Sequence, residues 1–233
     1  MRSDELEALF DQQAAGYDAQ WARMAPIRDS LLFLLESAFA ALPDDARLLC
    51  VGAGTGAEIA HFARRFPGWR FMALDPAPRM IDACRARAGR DGFADRCEFH
   101  AGYLDTLPAG DGYDGATSLL VSQFLLDAGE RTAFFRGIAT RLRPGGILAS
   151  ADLAWDTRAA DYPAMLALWL RAMSGAGLDA AAIERMRATY ARDVAVLPPD
   201  AVAALIAAGG FGAPVRFHQA GMIHAWCARV AAR

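Results

Sequence analysis

Apolar residues recur at helical spacing at Leu6, Leu9 and Phe10, and again at Ile27, Leu31, Leu32, Leu34 and Leu35, which predicts two helices within the first 42 residues. Pro43-Asp44-Asp45 breaks that pattern. A short apolar run over 47–51 then ends in Gly52-Ala53-Gly54-Thr55-Gly56, and helical spacing returns from Glu58 to Phe66 until Pro67-Gly68 closes it. That order predicts a strand, a tight glycine turn and a helix. A second strand is expected over 70–74, ending at Asp75-Pro76, followed by a helix from Ala77 to about Arg90 with Met80, Ile81 and Cys84 on one side. Cys97 to Ala101 alternates as a third strand, and a fourth is expected from Ala116 to Val121 after the loop carrying Leu107-Pro108 and Gly110-Asp111-Gly112. A helix from about Glu130 to Leu142, a turn at 143–146 and a strand from Ile147 to Leu153 complete this stretch.

Strand and helix therefore alternate from 47 to 153, the signature of βαβ units in a parallel sheet with helices on both faces. The pattern then changes. Tyr162 to Met173, Leu178 to Tyr190 and Pro199 to Ala208 have helical spacing, and Gly209-Gly210 ends the last of them. Val215 to His218 and Met222 to Val230 flank a tight connection at Gly221 and should pair as an antiparallel hairpin. The expectation is one α/β domain over 1–233 with a doubly wound sheet, mostly parallel, closed by an antiparallel hairpin. Its parts are an N-terminal helical segment (1–42), a core (43–153), a helical insertion (154–210) and the hairpin (211–233).

With 233 residues, 55% hydrophobic and 22% charged, the chain can bury a sizeable core. Its net charge of −3 is spread without a basic block, which argues against nucleic acid as a partner. The 24 basic residues are all arginine, so mechanisms needing a lysine amine are excluded. Cys50, Cys84, Cys97 and Cys227 form no C-x-x-C pair, and reduced thiols are expected in place of disulfides or a metal site. The acidic start and the lack of ~18 uninterrupted apolar residues point to a cytoplasmic protein without membrane contact.

In a doubly wound sheet ligands bind beyond the carboxyl ends of the strands, where strand order reverses, and the turn 52–56 falls there. Glycines let backbone approach a ligand closely and aim the next helix's amides at it. Asp75 follows Gly56 by 19 residues at the end of the next strand, near the ~20-residue offset of a carboxylate that accepts both ribose hydroxyls. Asp75 could equally cap the following helix, and the pair of features suits a nicotinamide enzyme as well as any other nucleoside binder. His61, His100, His218 and His224 read as structural, and no Ser/His/Asp spacing or carboxylate pair marks a hydrolytic site.

Further motifs narrow the choice. LLCVGAGTG at 48–56, FMALDPAPRMI at 71–81, GYLDTLP at 102–108, YDGATSLLVSQFL at 113–125 and LRPGGIL at 142–148 resemble, in order and spacing, the class I Rossmann-like S-adenosylmethionine-dependent methyltransferases, as does GGF at 209–211 before a closing hairpin. The resemblance covers nearly the whole chain. It implies S-adenosylmethionine as cofactor and S-adenosylhomocysteine as product, with Gly52, Ala53, Gly54 and Gly56 under the methionine portion and ribose, and Asp75 on the ribose hydroxyls. It implies that Pro76 and Met80 flank adenine, that Gly102, Tyr103 and Leu104 contact it through backbone, and that Leu119 and Leu120 border the methionine side. Two positions depart from the family pattern: Cys50 and Tyr103 stand where acidic residues are usual. LFDQQAAGYDAQW at 9–21 resembles the lid of small-molecule methyltransferases, which makes Tyr17 and Arg28 candidates for substrate or cofactor carboxylate. Gln123, a polar amide in an apolar run, is a further pocket candidate.

Methyl transfer from a sulfonium is an in-line displacement that positioning and exclusion of water can accelerate, so no residue is assigned as catalytic. A small-molecule acceptor is expected, with the chain acting alone or as a homodimer. SQFLLDAGERTAFFRGIATRLRPGG at 122–146 and VRFHQAG at 215–221 also resemble the carboxy-S-adenosylmethionine synthases of tRNA modification, in which case Arg28 or Arg187 would hold a carboxylate. A catalytically silent nucleoside-binding subunit is the alternative from a different class.

Overall fold

The computed structural model describes residues 3–174 and 180–231. Seven strands form one sheet in the order β3-β2-β1-β4-β5-β7-β6. These are β1 (Arg47–Val51), β2 (Arg70–Asp75), β3 (Cys97–Ala101), β4 (Tyr113–Leu119), β5 (Leu142–Leu153), β6 (Val215–Ala220) and β7 (Ile223–Arg229). The first five are parallel, and β7 runs antiparallel to both β5 and β6. This is the Rossmann-like doubly wound sheet with a closing antiparallel pair that the sequence implies.

Helices cover both faces, and the central strands are accordingly buried at successive positions, Leu48 to Val51 in β1 and Tyr113 to Ser118 in β4. Leu48 and Cys50 of β1 belong to one core, shared with α3 (Ala25–Ala38), α4 (Ala57–Arg65), α5 (Pro78–Arg90) and α7 (Tyr162–Ser174). Leu49 and Val51 face the opposite core, shared with α6 (Ala128–Ala139) and α9 (Pro199–Ala208). Alternate residues of one strand thus feed two cores, as expected for a strand buried on both faces. Sequence-local signals set the helix ends: Asp127 caps α6 by accepting from the Glu130 N–H, Pro78 opens α5, and Arg64 and Arg65 close α4 where its dipole favours cations.

Several boundaries differ from expectation. The described residues up to 42 include three α-helices, α1 (Ser3–Gln13), α2 (Tyr17–Trp21) and α3, with a 3-10 turn at Ala22–Met24. Gly16 and Pro26 supply the breaks, and periodicity alone runs across them. The helix expected to reach Leu142 ends at Ala139, because Leu142 pairs with Tyr113 and already belongs to β5. The fourth strand begins at Tyr113 and ends at Leu119, not Val121. Leu178, the expected start of a helix, lies outside the described residues; α8 is described over Ala180–Asp193. All four cysteines are free thiols, and among the described residues no helix is long and apolar enough to cross a membrane.

Candidate functional site

Strand order reverses between β1 and β4, so the loops leaving these two strands diverge and open a crevice at their carboxyl ends. The turn after β1 fills its floor. Gly52 has φ +72, and a Cβ there would lie 2.3 Å from Val121 Cγ2. Gly54 has φ +51 with nothing within 4 Å of a Cβ position, so it borders open space. A left-handed turn of this tightness needs glycine at both places.

Asp75 ends β2 beside this turn and is buried. One carboxylate oxygen, Oδ2, accepts from the Gly54 N–H at 2.9 Å, and Oδ1 accepts from the Ala77 N–H at 2.9 Å. The second bond closes a local Asx turn, while the cap position of α5 falls to Ala77 itself. Burial pushes the Asp75 carboxyl above its ordinary range, against the pull of the two backbone donors. Each oxygen retains a lone pair beyond the bond it accepts, and the residue lines the cavity.

That cavity has a volume of about 200 Å³. Gly52, Gly54, Asp75, Pro76, Met80, Gly102, Tyr103, Leu104, Leu119, Leu120 and Tyr17 all line it. Ala53 and Gly56 belong to the turn without lining the cavity. Gln123 is also outside it: its Oε1 accepts from the Leu153 N–H at 2.7 Å, so the buried amide finds its partner in β5. Arg28 is solvent-exposed on α3 and pairs with Asp29 at 2.8 Å. Arg187 pairs with Glu184 on α8, so neither of these guanidiniums lines the cavity. Leu120 has φ +62, uncommon for a branched side chain, and strain of this kind is held where surroundings over-determine it.

The sequence reading expected a lid over 9–21 but named only Tyr17 as a pocket candidate in it, and it named none of the far wall. Leu6, Glu7 and Phe10 of α1 cover the cavity, and Phe124, Leu125 and Phe134 close it from the β4 side. Leu6 and Phe10 are four residues apart, so an inward helical stripe was readable; its destination was not. Polar ties hold α1 and α2 over the turn. Asp18 accepts from Thr55 Oγ1 at 2.7 Å and pairs with Arg87, Asp11 accepts from the Arg79 N–H at 2.8 Å, and the Tyr103 hydroxyl donates to Glu7 at 3.3 Å. Tyr17 packs against Phe10 and Trp21, and burial first, then the Asp75 and Asp18 charges, push its phenol up to about 12. Its hydroxyl therefore keeps its proton at neutral pH and has a donor to offer.

Behind the turn, Glu58 in the first turn of α4 is buried against the sheet, where it accepts from Thr117 Oγ1 at 2.6 Å and from the Cys50 thiol. Cys50 and Thr117 are register partners on β1 and β4. The position that lacks an acid in the sequence motif thus has one beside it in space. Burial raises the Glu58 carboxyl to about 7. The folded chain then keeps a proton that the unfolded chain releases near pH ~4.3, so this group's contribution to stability falls as pH rises through 7. Glu58→Gln should melt near the wild type at pH ~5 and several degrees above it at pH ~8, each kcal/mol being worth roughly 2–4 °C in a chain of this size. Melting curves across that range check this, and parallel pH profiles would contradict it.

Comparisons with known proteins find relatives of this chain and of its fold. The family described as "Methyltransferase domain" matches residues 48–146. Over 115 residues the chain is 32% identical to the erythromycin 3''-O-methyltransferase of Saccharopolyspora erythraea, a match covering 49% of this chain and 37% of that one. The matched part spans about a third of that relative's length. Among solved structures, a putative O-methyltransferase from Nostoc punctiforme shares the fold with TM-score 0.68 at 15% identity, covering 94% of this chain and 59% of that one. The mitomycin 7-O-methyltransferase is 25% identical with TM-score 0.59, covering 83% and 52%.

Proposed function

We propose that this chain is a class I, Rossmann-like S-adenosylmethionine-dependent methyltransferase, a reading that the methyltransferase-domain match over residues 48–146 supports, and that it transfers a methyl group from S-adenosylmethionine to a small-molecule acceptor. The observation that carries the proposal is Asp75: a buried carboxylate fixed by the Gly54 and Ala77 N–H groups, with acceptor capacity left over beside a glycine turn. A ribose diol supplies the two donors such a carboxylate lacks. The open space at Gly54 is what a ligand lying against the backbone needs.

In this reading Gly52 and Gly54 hold the methionine portion, Asp75 the ribose, and Pro76, Met80 and Leu104 the adenine. When bound, the cofactor supplies a sulfonium methyl with a good leaving group. The chain's own contribution is placement and dryness. Leu119, Leu120, Phe124 and Phe10 wall the cavity with apolar side chains that exclude water, and Tyr17 offers a phenol donor from the roof. Relatives named for erythromycin and mitomycin support a small-molecule acceptor.

S-adenosylhomocysteine is expected to raise the melting temperature, because a ligand that binds only the folded state adds about 2.7 kcal/mol at a hundredfold excess over its dissociation constant. NAD should leave it unchanged. A shift with NAD and none with S-adenosylhomocysteine would overturn the proposal. Binding of S-adenosylmethionine without turnover under any acceptor would favour the silent-subunit alternative.

A further inference from the structure

Glu58 has no cationic partner among the described residues. The groups facing it are the Cys50 thiol from β1, the Thr117 hydroxyl from β4 and the Cys84 thiol from α5. Burial and the neighbouring Glu58 charge raise the Cys50 thiol well above its ordinary value, and Cys84 is pushed up to about 12, so both are neutral across the physiological range. Of the charged groups on the neighbouring helices, Glu36 of α3 is taken up by His61 and Arg65 at 2.9 and 2.8 Å, and Arg87 of α5 pairs with Asp18. An ionised Glu58 is therefore a buried anion whose only compensation is a hydroxyl, a thiol and the amino end of α4. Buried charges are normally paired, because leaving one alone is costly.

The missing charge has a natural position. Cys50 lies two residues before Gly52, and Glu58 two residues after Gly56, so the carboxylate stands directly behind the turn that faces the cavity. Resting on the proposed cofactor assignment, we infer that Glu58 is a charge-selecting residue that acts through the glycine turn, favouring a ligand bearing a sulfonium cation over its neutral thioether product. The interaction is long-range, across backbone in a low-dielectric interior where screening is weak. A cation bound in front of the turn stabilises the ionised form of Glu58, so binding releases a proton. By linkage, affinity for the cation then rises with pH as Glu58 ionises, while affinity for the neutral product changes little. The chain would thereby hold donor more tightly than product and let the product go.

The test is isothermal titration of the full chain with S-adenosylmethionine and with S-adenosylhomocysteine between pH ~5.5 and ~7.5, in buffers of different ionisation enthalpy, for the wild type and Glu58→Gln. Glutamine keeps an oxygen to accept from Thr117 and removes the charge. In the wild type, S-adenosylmethionine affinity should fall about fivefold or more from the upper to the lower pH, as a shift of about one unit in the Glu58 pKa requires. Its binding heat should depend on the buffer. S-adenosylhomocysteine should show less than half that change, and Glu58→Gln should flatten the S-adenosylmethionine profile and narrow its advantage over the product. If both ligands bind the wild type without pH dependence or proton release, the charge-selecting role is wrong while the cofactor assignment stands. If the variant retains the wild-type profile, Glu58 is not the group. Absence of binding by either ligand would overturn the cofactor assignment and this inference together. The wild-type proton release decides the matter even if the variant does not fold.

Discussion

Asp152→Ala is expected to destabilise the chain by about 3–5 kcal/mol, the usual cost of removing one partner of a buried ion pair. Asp152 at the end of β5 and Arg131 of α6 are both fully buried, with Arg131 Nη2 3.3 Å from Asp152 Oδ2. The carboxylate also accepts from Ser122 Oγ at 2.8 Å and from the Gln123 N–H at 2.9 Å. Arg131 in turn donates from Nε to Ser122 Oγ at 2.8 Å and from Nη1 to the Ala195 carbonyl at 3.2 Å. Alanine would leave a guanidinium in the interior with no counter-charge and free the 122–124 turn from its anchor. That turn carries Phe124, which lines the cavity, so affinity for the cofactor should fall along with stability. The double variant Arg131→Met/Asp152→Leu should recover most of the stability, since apolar replacement of a buried pair is often neutral. It should not recover the affinity, because Ser122 and Gln123 would still lack their acceptor. Denaturant melts of the wild type and the two variants decide this, and a cost below about 1 kcal/mol for Asp152→Ala would show that the pair contributes little.

This network also marks where sequence reading stopped. Strand–helix alternation, the glycine turn and Asp75 were legible because each depends on neighbours within about one βαβ unit: apolar runs fix the strands, glycine fixes the turn, and the offset fixes the acid. Glu58, Asp152 and Phe134 were not legible. Glu58 meets Thr117 across 59 residues and Asp152 meets Ser122 across 30, and nothing local distinguishes a carboxylate destined for the interior from a solvated one. Arg28 failed to reach the cavity for a related reason: helical spacing identifies an apolar stripe, but the polar positions beside it give no sign of which pocket, if any, they border. Leu142 was assigned to a helix because it continues an apolar spacing, and only its pairing with Tyr113 shows that the chain has already turned into β5.

Asp75→Ala is expected to weaken S-adenosylhomocysteine binding by at least tenfold. Two ribose hydroxyls donating to one carboxylate are each worth about 1.5–3 kcal/mol, and ~1.4 kcal/mol is one decade of affinity. The contacts of Asp75 refine how that loss must be measured. Both oxygens already accept from backbone, Oδ2 from Gly54 and Oδ1 from Ala77. Alanine therefore also strands two N–H groups beside the turn, and part of any loss of binding could come from a disordered glycine turn. Asp75→Asn separates the two effects. Its single carbonyl oxygen can accept from only one of the two N–H groups, and its amide presents a donor to the other, so it should cost roughly 1–3 kcal/mol of stability. The same amide accepts poorly from a diol, so affinity in the folded fraction should fall nearly as far as in alanine. Asp75→Glu supplies the remaining control: it keeps the charge but moves it by one methylene, which should preserve little of the geometry and hence little of the affinity. Unfolding and calorimetric binding measured on the same samples distinguish the cases. Loss of stability in alanine and asparagine with affinity within about twofold of wild type in the folded protein would make Asp75 a support for the turn alone. Affinity that falls tenfold or more in all three, at temperatures where each is fully folded, places the ribose on this carboxylate.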